Sequence, residues 1–491
     1  MPQKSRTPAK TKVPAQPKTA AAKAPASASP GGKPRVIVPT DGLVITGSVI
    51  FKPGTYVLPK GLTAGADNIT IDGGGAVLIG EGRQGTGIVI RGRKNVVVRN
   101  CVMREYHEAI GAWDSEQVRI ERNQITSTAE VEDNTIFLNI WEPAETGYGA
   151  AVVLSKVTDG LVFDNDLRHN MNGVLTYSCS KLVVRDNNVN FSSGFGIHLN
   201  GTCDSTFEGN YADYCCRWEP RDKSAERPHG KTGKGCYGHM GADATGFLII
   251  NGACRNVFRR NSARMGGDGF FLAGYGPKGP NGSDDNLFEE NDGSLSPNIA
   301  FEATFSRGNI FRNNWADRCN YGFWLGFSRE NVLEGNRMLF NRQAGIAVEH
   351  GIHFTVRDND FQSNGNGVLI WSRWSKDLHK HPEHLTSHHW LIEKNKFFRN
   401  GSGVAIVADC DHGVRPMPAE TCGKPEVRPH DHTIRGNDIQ DNRIGIRLKG
   451  TDKTIIEGNK INANAETNVR CEEDRDTEFR RNNLGAFGAY L

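Results

Sequence analysis

An all-β solenoid is the fold this sequence predicts: a single-domain right-handed parallel β-helix of about 14–16 coils with loop insertions flanking one sheet. Three observations predict it. The first is an asparagine ladder, fourteen residues running from Asn100 to Asn482 with Asn313 and Asn336 among them. Eight of its thirteen gaps are 22 or 23 residues, and the others are 30, 36, 42, 42 and 51. A unit of that size is too short for a helix pair and suits one solenoid turn. The second is the grammar inside each unit. A β-branched or aromatic run ends at the Asn ("NVVVRN", "GLVFDN", "NVLEGN"), and about nine residues later a Gly opens alternating apolar residues ("GVLTYS", "GIHLNG", "GFWLGF"). Period-2 alternation reads as strand, and Gly with Asn reads as turn. The third is composition: 57 glycines among 491 residues, and no apolar run long enough for a membrane span.

Taken in order, residues 1–35 form a tail rich in Pro, Ala and Ser, with eight Lys or Arg and no acid. Such a segment buries no core and is expected to be disordered. Residues 36–491 are the β-helix domain. The tail has no continuous apolar stretch, so the default placement is cytoplasmic. At each coil corner an Asn amide is expected to bond the Asn of the next coil, which makes the ladder structural.

This grammar resembles the pectate-lyase-like superfamily of right-handed parallel β-helices across roughly residues 36 to 491. "FKPGTYVL" (51–58) and "NITIDGGGAVLIG" (68–80) are similar to the opening coils of such proteins. The resemblance implies the fold. It spans lyases, hydrolases, epimerases, tailspikes and non-catalytic proteins, so the activity has to be read from a site.

The long gaps hold insertions, at about 127–148, 216–242, 275–284, 373–388 and 409–430. All flank the first strand of a coil, so they are expected to wall a groove whose floor is the first sheet. Outward positions of that floor include His198, Asn200, Phe271, Glu302, Trp324, Glu349, Tyr177 and Trp371, with Trp113 one coil earlier. Aromatic faces in a polar groove suit sugar rings. Asp243, Asp268 and Glu302 are expected to be the acid/base set, with His198 as a hydroxyl contact or secondary base. Tyr177, Trp324, Trp371, Glu349, Phe271, Asn200, Tyr275 and Arg373 are the expected substrate contacts. Strand geometry puts Asp243 roughly 8 Å from Asp268, and Asp268 roughly 11 Å from Glu302. The plain alternative is that the walls cover the aromatics as a second core and that Asp243 and Asp268 cap turns.

Acids and aromatics mid-groove, with Arg447 and Lys449 only at the far end, argue against a polyanionic substrate. The expected function is cleavage of a neutral or weakly charged oligo- or polysaccharide by hydrolysis or glycosyl transfer. The alternatives are a lyase or uronan epimerase using Arg217, Arg221 or Arg373, and a non-catalytic glycan-binding β-helix. No cofactor, nucleic acid or membrane partner is expected. A metal is the alternative to a polar wall at His379, His381 and His384, in an insertion that also carries His388 and His389 and neighbours Asp409, Asp411, His412, His430 and His432. Of eleven cysteines, Cys203 and Cys254 fall at equivalent places in successive coils and are expected to stack.

Overall fold

A computed structural model describes residues 34–132, 135, 138–217, 244–374, 385–408 and 427–485. Short strands repeat two or three to a coil, and apart from an antiparallel pair at Tyr275–Gly276 and Gly279–Pro280 they pair in parallel with their counterparts one coil on. Among the described residues the first sheet has sixteen strands and the second seventeen, and the third is in two pieces of four and six. A 3-10 turn at Ala144–Thr146 is the one helical element among them. The solenoid begins at Arg35–Ile37, which pairs with Val49–Phe51. Of the tail expected over residues 1–35, residues 1–33 lie outside the described residues.

Each strand of the first sheet is followed in space by the next coil's equivalent. Examples are Phe195–Asn200, Thr245–Ile250, Asp268–Ala273, Ile299–Ala303 and Tyr321–Trp324. The in-facing residues stack between coils. Phe247, Phe270, Phe301 and Phe323 form one column, with successive ring centres 4.7, 4.8 and 4.8 Å apart. Phe207, Phe258, Phe288 and Phe311 form another on the second sheet, at 5.1, 4.6 and 4.9 Å. The spacing is the inter-strand distance itself, so parallel in-register coils set like rings face to face.

The asparagine ladder is a corner device. Each rung's Oδ1 accepts from both the backbone N–H and the Nδ2 of the rung before it, and its Nδ2 also donates to a strand carbonyl. Asn336 does so with Asn314, Asn359 and the Phe311 carbonyl at 2.9–3.0 Å. Two of the expected rungs are displaced by one residue. Asn100 and Asn313 have φ of 54° and hold the left-handed position just before the corner, where Asn is tolerated. Their neighbours Cys101 and Asn314 take the rung. Two further ladders line other corners. One runs from Ser205 through Asn256, Asn286 and Asn309 to Asn331. The other runs from Cys319 through Asn341, Asn364, Asn400 and Asn442 to Asn464. Cys203 and Cys254 stack as expected, with their Sγ atoms 2.8 Å apart.

Candidate active site

The outer face of the first sheet is neither bare nor uniformly covered. At its N-terminal half, Val153, Leu175, Tyr177, Phe195 and Leu248 are buried in a second apolar cluster with Leu138, Ile140 and Trp141 of the 127–148 insertion. Further on, Ala347, Leu369, Trp371, Ala405 and Val407 are buried in a third cluster, against which Trp324 packs. Between them Phe271, Glu302, Thr304 and Trp324 are partly exposed. The register sets Glu302 directly opposite Phe271 on one side and Trp324 on the other.

Asp268 completes this stretch. A Cβ on Gly269 would meet the Ala263 and Ala300 carbonyls and Gly293, so Gly269 faces inward beside Phe270, and two successive residues turn to the core. That local break in the alternation leaves Asp268 on the outer face, where the residue is 1 % exposed and its carboxyl hydrogen-bonds the Glu302 carboxyl. Its Oδ1 also accepts from the Ile299 N–H at 2.9 Å, and the Asn298 side chain is a further partner. Burial and the facing Glu302 carboxyl push Asp268 well above the usual carboxylate range. Two hydrogen-bonded carboxyls share a proton, which each holds more tightly than an isolated carboxyl would. The roughly 11 Å expected between them was a main-chain separation, and the two side chains close it. The contact is shorter than the carboxylate spacings of about 5–5.5 Å and 6.5–9.5 Å that characterise retaining and inverting glycosidases, so this pair is a single proton-holding unit. Asp243, the expected second carboxylate, lies outside the described residues.

Trp324 lies over its own strand. A Cβ on Gly326 would come within 2.5–3.1 Å of the indole ring, so glycine at this fourth place is what lets the ring lie across the strand. Trp113 does the same over Gly111. Tyr275, 48 % exposed, stands at the end of the Asp268 strand with its ring 4.9 Å from Phe305.

The other expected residues sit elsewhere. His198 is 2 % exposed between Tyr177 and Phe195, with Nδ1 unpaired, and burial drives it down to about 3. It is a neutral core imidazole, away from the open stretch, rather than the base expected. Tyr177 and Trp371 were expected as stacking faces, and both are buried beneath neighbouring chain. The second-core alternative thus describes their surroundings, because apolar outer-row residues attract the insertions as a cover. Glu349 is buried, held by Arg373 at 2.6 Å and by His350, which keep its carboxyl below the usual range despite burial. Arg373 is thereby committed, and Arg217 donates to the Ser193 carbonyl. Arg221 lies outside the described residues. Asn200 accepts from Asn251 in a short side-chain row. Thr304 and Asn298 were missed. The signal for Thr304 was its position two residues after Glu302 in the same alternating run.

A concavity of 610 Å³ opens on another face around Trp315, Arg260, Arg264 and Arg337. Each of those arginines is already ion-paired. A second polar cluster sits at a coil corner. His353, His388 and His389 form one group of potential ligand atoms lying within 4.8 Å of one another, and His389, His430 and Asp431 form another. His379, His381, His384, Asp409, Asp411 and His412 lie outside the described residues.

Comparison with known proteins agrees with the fold. A right-handed β-helix region matches residues 239–379. Among solved structures, the periplasmic alginate epimerase AlgG is 13% identical with a TM-score of 0.40, covering 88% of this chain and 79% of that one. The Azotobacter vinelandii mannuronan C-5 epimerase AlgE6 A-module is 15% identical with a TM-score of 0.32, covering 88% and 91%. A DFA-IIIase from Arthrobacter chlorophenolicus is 10% identical with a TM-score of 0.32, covering 61% and 81%. No curated protein matches the sequence. No helix among the described residues is long and apolar enough to cross a membrane. The family model described as periplasmic copper-binding protein (NosD) matches residues 67–227 and 384–486, more than half of the chain, and the protein belongs to that family.

Proposed function

We propose that the protein acts on an oligo- or polysaccharide at the open stretch of the first sheet, cleaving a neutral or weakly charged glycan by hydrolysis or glycosyl transfer. The observation that carries this reading is the Asp268–Glu302 carboxyl pair, buried on one side and set between Phe271 and Trp324. A carboxyl whose proton is held more tightly than usual is suited to act as a general acid. The pair gives its proton to the glycosidic oxygen as the C–O bond breaks. It takes one back from the water or sugar hydroxyl that attacks the anomeric carbon. The partly exposed faces of Trp324 and Phe271 suit the C–H faces of sugar rings. The lyase or epimerase alternative needs a cation beside the substrate carboxylate, and Arg373 and Arg217 are both already bonded within the protein.

A glycan-panel screen with product analysis tests the reading. New reducing ends or transfer products, lost in Glu302→Gln, are expected. Products carrying a 4,5-unsaturated uronate, which absorbs in the ultraviolet, would turn the assignment to a lyase.

The family's description supports a second reading, a periplasmic metal-binding β-helix, and with it a periplasmic location in place of the cytoplasmic default. The corner cluster offers four imidazoles and one carboxylate, a donor set suited to copper or zinc. His353, His388, His389 and His430 would hold the ion, whose chemistry there would be Lewis-acid or electron-transfer in kind.

A further inference from the structure

The coil corner after Gly351 repeats one conformation three times. His353, His389 and Asp431 are successive left-handed residues, with φ of 56°, 57° and 56°. Ile352, His388 and His430 are the bridged residues before them. Parallel coils put equivalent positions about 4.8 Å apart, so any side chain repeated at such a corner meets its copy. Here the repeated side chain is imidazole. The His388 and His430 rings stack at 4.9 Å, and the His353 and His389 rings lie 4.8 Å apart.

We propose that this corner, His353, His388, His389 and His430, binds one divalent transition-metal ion, copper(II) in preference to zinc. The proposal rests on the metal-binding reading of the family and gives it an address. Two further observations support it. The Nδ1 atoms of His388 and His389 are 2.8 Å apart. Two nitrogens bound at about 2.0–2.1 Å and at a right angle to each other stand about 2.9 Å apart, as in the tetragonal sites that copper(II) favours. His430 Nδ1 lies 2.6 Å from the Asp431 carboxylate. A proton on Nδ1 donated to that carboxylate fixes the tautomer and leaves the lone pair on Nε2, the usual way a carboxylate prepares a ligand imidazole. His432, buried behind the corner with both ring nitrogens unpaired, adds a neutral ring there and is not counted as a ligand.

The corner is apart from Glu302 in the chain and belongs to later coils, so its occupancy can be measured without any glycan. The test uses the full chain without a histidine tag, stripped of metal and titrated calorimetrically with copper(II) sulfate and zinc sulfate. Electron paramagnetic resonance is recorded on the copper form. The expected result is one copper(II) per chain with nitrogen hyperfine structure, bound more tightly than zinc. His389→Ala, which breaks both ligand groups, should weaken copper binding by more than about a hundredfold, because loss of an outer-shell partner alone costs up to that factor. His353→Ala, at an exposed ring, breaks one group. It should weaken binding by at least about tenfold in a variant whose metal-free melting temperature is unchanged. Copper held by both variants as in the wild type would overturn the site while leaving the family reading standing. No copper binding by the wild type would overturn both.

Discussion

At the scale of residues, the protein separates two kinds of buried polar group. The amide of a ladder rung such as Asn336 is buried and bonded at both its oxygen and its nitrogen, whereas Asp268 is buried against another acid. The second arrangement costs stability and is the kind found where a proton has work to do. Its pH dependence has a definite sign. Asp268 in the folded chain binds its proton more tightly than the ordinary 3.8 of the unfolded chain. Unfolding therefore releases a proton above that pH, and stability falls as pH rises from about 3.8 through the raised folded value. Asp268→Asn removes this cost while keeping an acceptor for the Ile299 N–H, so its melting temperature at pH 7 should lie above the wild type's. Its turnover, and that of Glu302→Gln, should fall by about 10² or more, the scale of general acid–base groups. Trp324→Ala should mainly raise KM. A stabilised but fully active Asp268→Asn would remove the pair from the chemistry.

At the scale of elements, the repeating unit is strand, left-handed residue, corner Asn, strand. Asn336 shows what one rung does: it links Asn314, Asn359 and a strand carbonyl through bonds no water replaces once the coils close. Asn336→Ala should cost about 1–3 kcal/mol by denaturant unfolding, the penalty of stranding buried partners. Specific activity should survive in whatever folds. A loss of activity in the folded variant would show the rung to be catalytic. This unit is also where the sequence was most and least legible. Period and alternation identified the coils because both are local. The ladder was misplaced at Asn100 and Asn313 because two adjacent residues at a corner both accept Asn, one for its left-handed φ and one for its amide. The two further ladders were hidden because they begin on Ser205 and Cys319, with the Asn residues following. The outward row was read correctly, yet which of its members stay open depends on where insertions fold back. No periodicity encodes that. Tyr177 and Trp324 look alike in the sequence, and only the first is covered.

At the scale of the whole molecule, one core runs the length of the solenoid, and its buried imidazoles set a common response to acid. His198 and His432 are held neutral, each pushed from an ordinary 6.5 to about 3. Below about 6.5 the unfolded chain takes up protons that the folded chain refuses, so stability falls as pH drops from about 6.5 toward 3. Melting temperatures across that window should decline, and His432→Leu, which buries no ring nitrogen, should lessen the slope. An unchanged slope would mean that His432 gains a proton partner in the folded state.

Solenoids hold together by nearest-neighbour contacts, so local opening should follow the local core rather than the whole. The strand Ile299–Ala303 carries Phe301 stacked between Phe270 and Phe323, with four of its five residues buried. Among the described residues Glu478–Arg480 pairs only with Ile455–Glu457, and it is exposed at all three positions. Native-state hydrogen exchange should therefore find the amides around Phe301 among the slowest in the molecule and those of Glu478–Arg480 among the fastest. Protection should rise coil by coil from the exposed strand inward. The carboxyl pair, with Glu302 on that strand and Asp268 on the strand beside it, would then sit on the stiffest part of the scaffold, where a proton-transfer geometry is best held. Uniform exchange along the chain would instead mean that the solenoid opens as one unit and that the phenylalanine columns confer no local rigidity on the site.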